Sequence, residues 1–221
     1  MKACLLLPAY NESKMIAHII QQATLFVGHV VVIDDGSSDQ TAEIAAENGA
    51  IILRHDRNRG KGMALRTGFD YALRNGYELI VTMDSDGQHD PLNLPRFFDH
   101  FRGTQPDILI GGRLEDRSAM PLHRRLNNWL VSTVGSALCG QHIPDFQSGY
   151  RLIKAEVLEA IRLDTERYET ESELLIKAGR LGFRMEYLSI RTIYGDEISH
   201  VKSLREMWLF TKLLMRSLRE K

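Results

Sequence analysis

Asp84, Asp86 and Gln88 stand at i, i+2 and i+4 in the run Asp84-Ser85-Asp86-Gly87-Gln88-His89. At the frayed end of a strand this spacing points alternate side chains the same way. Two carboxylates and an amide oxygen make a hard, all-oxygen set suited to Mg²⁺ or Mn²⁺, which hold a few carboxylates and complete their shell with phosphates and water. An EF-hand does not fit, because Gly87 falls at the fourth loop position rather than the sixth. The competing reading is an acidic turn that caps a helix over 92–101. Asn58-Arg59-Gly60-Lys61-Gly62 places glycines and a cation at a helix start, where free backbone N–H groups favour anions. It is not a P-loop, since Gly62 stands where Ser or Thr would follow the lysine. Asp145-Phe146-Gln147-Ser148-Gly149-Tyr150-Arg151 packs an acid, a hydroxyl, a glycine and a cation into one loop.

Elements that can position these groups alternate along the first half. Apolar runs predict strands over 3–7, 30–33, 50–53, 79–83 and 107–110. Helical spacing predicts helices over 12–26, from Ser38 or Asp39 to 47, and over 61–74. Pro8 is expected to end the first strand. Strand alternating with helix implies a mostly parallel α/β sheet covered on both faces, with ligands at the carboxyl ends of its strands. Pro8-Ala9-Tyr10-Asn11-Glu12, Asp34-Asp35-Gly36-Ser37 and the Asp84 run each follow a strand, so all three converge on one edge. Asp34, Asp35, Asp84 and Asp86 would repel one another there without a cation among them. The second half predicts helices over 122–138, 154–161 and 171–181, a loop over 143–151 and an extended segment over 184–190.

Composition excludes several classes. The chain has 221 residues, 28 Lys plus Arg against 29 Asp plus Glu, 43% hydrophobic residues and only two cysteines. That is ordinary globular composition, neither disordered nor a general nucleic-acid binder. Cys4 and Cys139 read as small core residues of a protein in a reducing, cytoplasmic compartment. No secretory pattern is visible, and the uncharged stretch 126–144 carries too many Asn, Ser, Thr and Gln residues to span a bilayer. Charge is uneven. From 198 to 221 six basic residues face two acidic ones, a net +4, which leaves −5 on the remainder. The pattern predicts one domain over 1–200 and an amphipathic basic appendage over 201–221. On that helix Arg205, Lys212, Arg216 and Arg219 form one stripe. It suits a peripheral position on an anionic membrane, and equally packing on its own domain or a homodimer contact.

Taken together, these motifs and Gly111-Gly112-Arg113 resemble family 2 glycosyltransferases of the GT-A (Rossmann-like) fold, most closely the dolichyl-phosphate mannose synthase type. Their order and spacing match over about residues 3 to 200. The resemblance implies a nucleotide-sugar donor, a divalent metal and transfer with inversion. It implies that Pro8, Tyr10 and Glu12 hold the nucleoside, with Ile33, Asp34 and Asp35 nearby. Lys61, Asp84, Ser85 and Asp86 would line the sugar diphosphate, and Asp84, Asp86 and Gln88 would hold the metal. Arg113 would meet the donor or an acceptor phosphate. A polyprenyl (dolichyl) phosphate acceptor is already anionic and needs cations rather than a base; Arg113, Arg124, Arg125, Arg151, Arg191 and Lys202 are the candidates. A sugar hydroxyl would need a base, for which Asp145 is the acid to name. Asp86, Asp145 and Arg113 are thus the expected catalytic set. The chain departs from the mannose-synthase pattern near Thr192, where that pattern carries a basic residue closely followed by a lysine. Arg191, His200 and Lys202 are the nearest substitutes, which leaves sugar and acceptor open. Transfer to a saccharide hydroxyl, or nucleotide-sugar binding without catalysis, are the alternatives.

Overall fold

A computed structural model describes residues 1–112 and 122–190, with 122–127 as backbone only. Seven strands form one sheet: β1 (Ala3–Ala9), β2 (Val30–Asp34), β3 (Ile51–Arg54), β4 (Leu79–Thr82), β5 (Ile108–Gly112), β6 (Arg151–Lys154) and β7 (Met185–Ser189). Their order is β3-β2-β1-β4-β6-β5-β7. All neighbours pair in parallel except β6, which runs antiparallel to both β4 and β5. The order reverses between β1 and β4. A crevice opens at such a switch point, outside the carboxyl ends of the strands.

Alternation along the strands builds two cores. Leu6, Ile33, Ile80, Ile110 and Ile153 face α3 (Lys61–Arg74), α5 (Leu122–Cys139), α6 (Ala155–Ala160) and α7 (Glu169–Arg180). Leu5, Leu7, Val32, Val81, Leu109 and Leu152 face α1 (Ile16–Ala23), α2 (Thr41–Glu47) and α4 (Leu94–Thr104). Both cysteines are buried in the first core, and burial pushes the Cys4 thiol up to about 12. This covered, mostly parallel sheet is the expected α/β architecture.

Four local differences from expectation have physical causes. β1 runs through Pro8 to Ala9, although proline cannot donate to a ladder. Successive residues point their backbone groups to opposite neighbours, so Pro8 faces the β4 side, where β4 has already ended at Thr82 opposite Leu6. Its carbonyl there accepts from Ser85 Oγ at 2.8 Å. α1 begins at Ile16 rather than 12, after a turn in which Glu12 O accepts from Met15 N and Ile16 N while Asn11 N donates to Ser37 Oγ, Glu12 N to Thr41 Oγ1 and Ser13 N to Asp39 Oδ2. β6 lies where the end of a loop and a helix start were expected. α4 is preceded by a 3-10 turn, Pro91–Asn93, capped by Asp90, which accepts from Leu92 N.

Candidate functional site

The loops leaving β1, β2 and β4 meet at the switch point. The first two are laced together by the three N–H bonds just named and by Ser38 N donating to Asn11 Oδ1 at 2.9 Å, with Asn11 at φ 59°. Tyr10, 46% exposed, and half-buried Glu12 sit on this rim. Beneath it Asp34 is fully buried, accepting from Ser37 N at 3.0 Å with Arg54 Nε 3.0 Å away. Asp35 is a hub. Its carboxylate accepts from Arg59 N at 2.9 Å and Gly60 N at 2.7 Å, and His55 Nδ1 lies 2.7 Å away. His55 Nε2 is in turn 2.9 Å from Thr67 Oγ1 on α3. Asp35 therefore orders the glycine loop that starts α3.

That loop delivers Lys61. Its ammonium is 2.6 Å from Asp84 Oδ1 and 2.9 Å from Glu171 Oε2, and 5.8 Å from the centre of the Tyr168 ring. Burial alone would depress the lysine, but the two carboxylates outweigh it and raise its pKa. Burial likewise pushes Asp84 up, and Lys61 with His89 overrides it, holding Asp84 well below the usual carboxylate range. α3 and α7 are joined at their N-termini: Met63 N donates to Glu166 O at 2.9 Å, and a Cβ on Gly62 would lie 2.5 Å from Arg167 O.

The loop before β6 closes the floor. Thr82 Oγ1 donates to Gly149 O at 2.9 Å, and Ser148 Oγ donates to Gly111 O. Gly149 lies against Asp84, where an added Cβ would stand 2.7 Å from Cγ and Oδ2. Asp86 is half-buried, its Oδ1 accepting from Gln88 N at 2.9 Å. His89 is buried, edge-on to Tyr150, with Nε2 3.7 Å from Asp84 Oδ2, too far for a hydrogen bond.

Lys61 thus bridges Asp84 and Glu171, and the charges of Asp84, Asp145 and Glu171 act on the buried Arg151 guanidinium. Among the described residues, no three His, Cys, Asp or Glu side chains converge as a metal-holding group. The Asp84, Asp86 and Gln88 set nevertheless has the right chemistry for a magnesium-type cation. It is all oxygen, and two of its members are carboxylates, one of them, Asp84, in contact with the Lys61 ammonium.

A model of glycosyl transferase family 2 matches residues 4–162. The chain belongs to that family. This glycosyltransferase is 30% identical over 215 residues to a UDP-N-acetylglucosamine–dolichyl-phosphate N-acetylglucosaminyltransferase of Methanococcus voltae, covering 87% of this chain and 86% of that one. It is 31% identical over 198 residues to an undecaprenyl-phosphate mannosyltransferase of Micrococcus luteus, covering 84% and 81%. Its fold matches glucosyl-3-phosphoglycerate synthase from Mycobacterium tuberculosis, solved with Mn²⁺, UDP and phosphoglyceric acid. That match has a TM-score of 0.70 at 21% identity, covering 98% of this chain and 77% of that one. The sheet and its flanking helices are GT-A, and the protein is a hexosyltransferase enzyme.

The expected site residues of the glycosyltransferase divide three ways. Tyr10, Glu12, Lys61, Asp84, Asp86 and Gln88 lie on the converging loops or, for Lys61, at the first position of α3. Others are buried. Ile33 is in the core, Pro8 is buried with its carbonyl on Ser85, and the Ser85 hydroxyl is spent on that carbonyl. Asp34 and Asp35 brace loops. Asp145 is only 4% exposed. Arg151 is 1% exposed and donates to Glu171 O at 2.7 Å and Phe146 O at 3.1 Å. This corrects its expected place among the acceptor-phosphate cations: a buried guanidinium bonded to two carbonyls is a strut under the loop. Arg113, Arg124, Arg125, Arg191, His200, Lys202 and the 203–218 helix lie outside the described residues or side chains. Glu171 was not anticipated. As an acid in the first turn of α7 it reads as an ordinary helix-dipole partner. What distinguishes it is burial on a helix face otherwise occupied by Leu174, Leu175 and Ala178.

Proposed function

We propose that this glycosyltransferase moves a hexosyl group, with inversion, from a nucleotide-sugar donor to a polyprenyl phosphate, assisted by Mg²⁺ or Mn²⁺. The carrying observation is that Asp84 and Glu171 are paired with Lys61 rather than free. A sugar hydroxyl would need one of them free as a base, whereas a phosphate arrives deprotonated. The polyprenyl-phosphate enzymes among its relatives support the same acceptor class.

In this reading Tyr10 and Glu12 hold the nucleoside at the rim, Lys61 meets the diphosphate, and Asp84, Asp86 and Gln88 hold the cation. A divalent cation held there would supply positive charge against the leaving diphosphate. Arg113, Arg124, Arg191 and Lys202 bind the acceptor phosphate. Among the described residues no helix is long and apolar enough to cross a membrane. The basic stripe of Arg205, Lys212, Arg216 and Arg219 brings the enzyme to an anionic surface as a peripheral protein.

Incubation with radiolabelled nucleotide sugars and polyprenyl phosphate tests the proposal. Label that partitions into organic solvent is expected. A water-soluble glycan instead would favour the saccharide acceptor, and donor binding without any turnover would favour a non-catalytic module.

A further inference from the structure

Lys61 is bound by two acids, one on the loop after β4 and one in the first turn of α7, and the two are held differently. Asp84 belongs to the loop after β4, is part of the cation set and remains partly exposed. Glu171 is buried and has no part in that set. Its backbone is tied from below by Arg151, which donates to its carbonyl at 2.7 Å. The neighbouring turn is pressed on α3 through Gly62 and through Met63 N on Glu166 O. Glu171 is therefore a fixed post, while the lysine stem between the two acids has four rotatable carbons. An ammonium shared by two carboxylates can release one without being left unpaired in a partly dry site; an ammonium with a single partner cannot.

From this geometry we infer that Glu171 is a positioning residue that retains Lys61 when Asp84 is given over to the divalent cation. Lys61 Nζ swings off Asp84 Oδ1, stays on Glu171 Oε2 and remains beside the Tyr168 ring. From there it projects toward the donor diphosphate. Without Glu171, the carboxylate left to Lys61 among the described residues is Asp84, and Lys61 competes with the cation for it. The inference rests on the metal-dependent donor reading above.

Direct Mn²⁺ binding to the full chain, read from the free-ion electron paramagnetic resonance signal, tests it without turnover. Glu171→Gln is expected to weaken Mn²⁺ binding about tenfold, the scale of a coupling between contacting charged groups. In a Lys61→Met background the same Glu171→Gln change is expected to have less than about a twofold effect, because the competitor is gone. Glu171→Asp separates reach from charge. It keeps the negative field but withdraws the oxygen from Lys61, and it should lose affinity as Glu171→Gln does. Equal effects of Glu171→Gln with and without Lys61, or wild-type affinity in Glu171→Asp, would overturn the inference and leave the metal reading standing. No Mn²⁺ binding by the wild-type chain would overturn the metal reading itself, and this inference with it. Circular dichroism melts of each variant verify that binding is read on folded protein.

Discussion

Gly149→Ala should separate function from stability. The added Cβ would lie 2.7 Å from Asp84 Cγ and Oδ2, and Oδ1 is closer still. Neither backbone can retreat freely. Thr82 Oγ1 holds Gly149 O at 2.9 Å and Ser148 Oγ holds Gly111 O. The carboxylate is the movable partner, and relaxing the overlap to ordinary van der Waals separation displaces it by roughly 1 Å. Overpacking of this size costs about 1–3 kcal/mol, or a few degrees of melting temperature per kcal/mol for a chain of this length. A misplacement of ~1 Å at a reacting group can cost about 10²-fold in rate. The expected result is therefore a folded protein whose kcat/KM falls by about two orders of magnitude. Gly103→Ala, where nothing lies within 4 Å of the added carbon, is the matched control. In the last turn of α4 it should stabilise by up to about 1 kcal/mol and leave turnover alone. The assay pairs initial rates on radiolabelled donor with thermal melts. Wild-type kcat/KM in Gly149→Ala would refute the argument that Asp84 must stay where glycine lets it stay.

Three further outcomes follow from the same geometry. Asp86→Ala should abolish metal-dependent turnover while leaving the melt nearly unchanged; activity that survives a chelator would sink the metal assignment. The Lys61–Asp84 pair should stabilise the fold over a defined pH window. Asp84 is depressed, so its contribution is present above the unfolded carboxylate value of about 3.9 and is lost as pH falls below it. Lys61 is raised, so its contribution is full below about 10.4 and is lost only as pH climbs through its higher folded value. The stability difference between wild type and Lys61→Met, from urea melts, should hold between those limits and shrink on the acid side; a difference that grows below pH ~4 would contradict it. Replacing Arg205, Lys212, Arg216 and Arg219 with glutamine should weaken sedimentation with anionic vesicles, whereas an unchanged profile would favour a helix packed on protein.

Much of this architecture is readable from residue types alone. The strand–helix alternation and the three polar clusters past strand ends require nothing beyond local periodicity, and Lys61, Asp84 and Asp86 do stand at the strand and helix ends where that alternation puts them. The partners of other side chains depend on contacts far along the chain. Asp35 and Ser85 carry the composition of ligand-binding groups, but their partners are loop amides and a carbonyl on neighbouring elements. Arg151 reads as a surface cation until β6 draws it into the sheet. β6 itself is too short, and too closely flanked by charge, to show a period. Glu171 joins the site only through a lysine 110 positions earlier in the sequence.

The reversed direction of β6 has a practical consequence. A strand running against its neighbours brings to the reactive edge the loop that enters it, while the connection that leaves it, into α6, falls on the opposite edge. The segment between α5 and β6 therefore belongs to the scaffold as much as to the edge: Gln141 bonds Phe183 O and Met185 N, Ile143 and Phe146 are buried in the first core, and Ser148 holds Gly111 O. Exchange of this segment between homologous enzymes to alter acceptor preference would have to keep Gln141, Ile143, Phe146, Ser148, Gly149 and Arg151, the residues that fasten it to the sheet and helices.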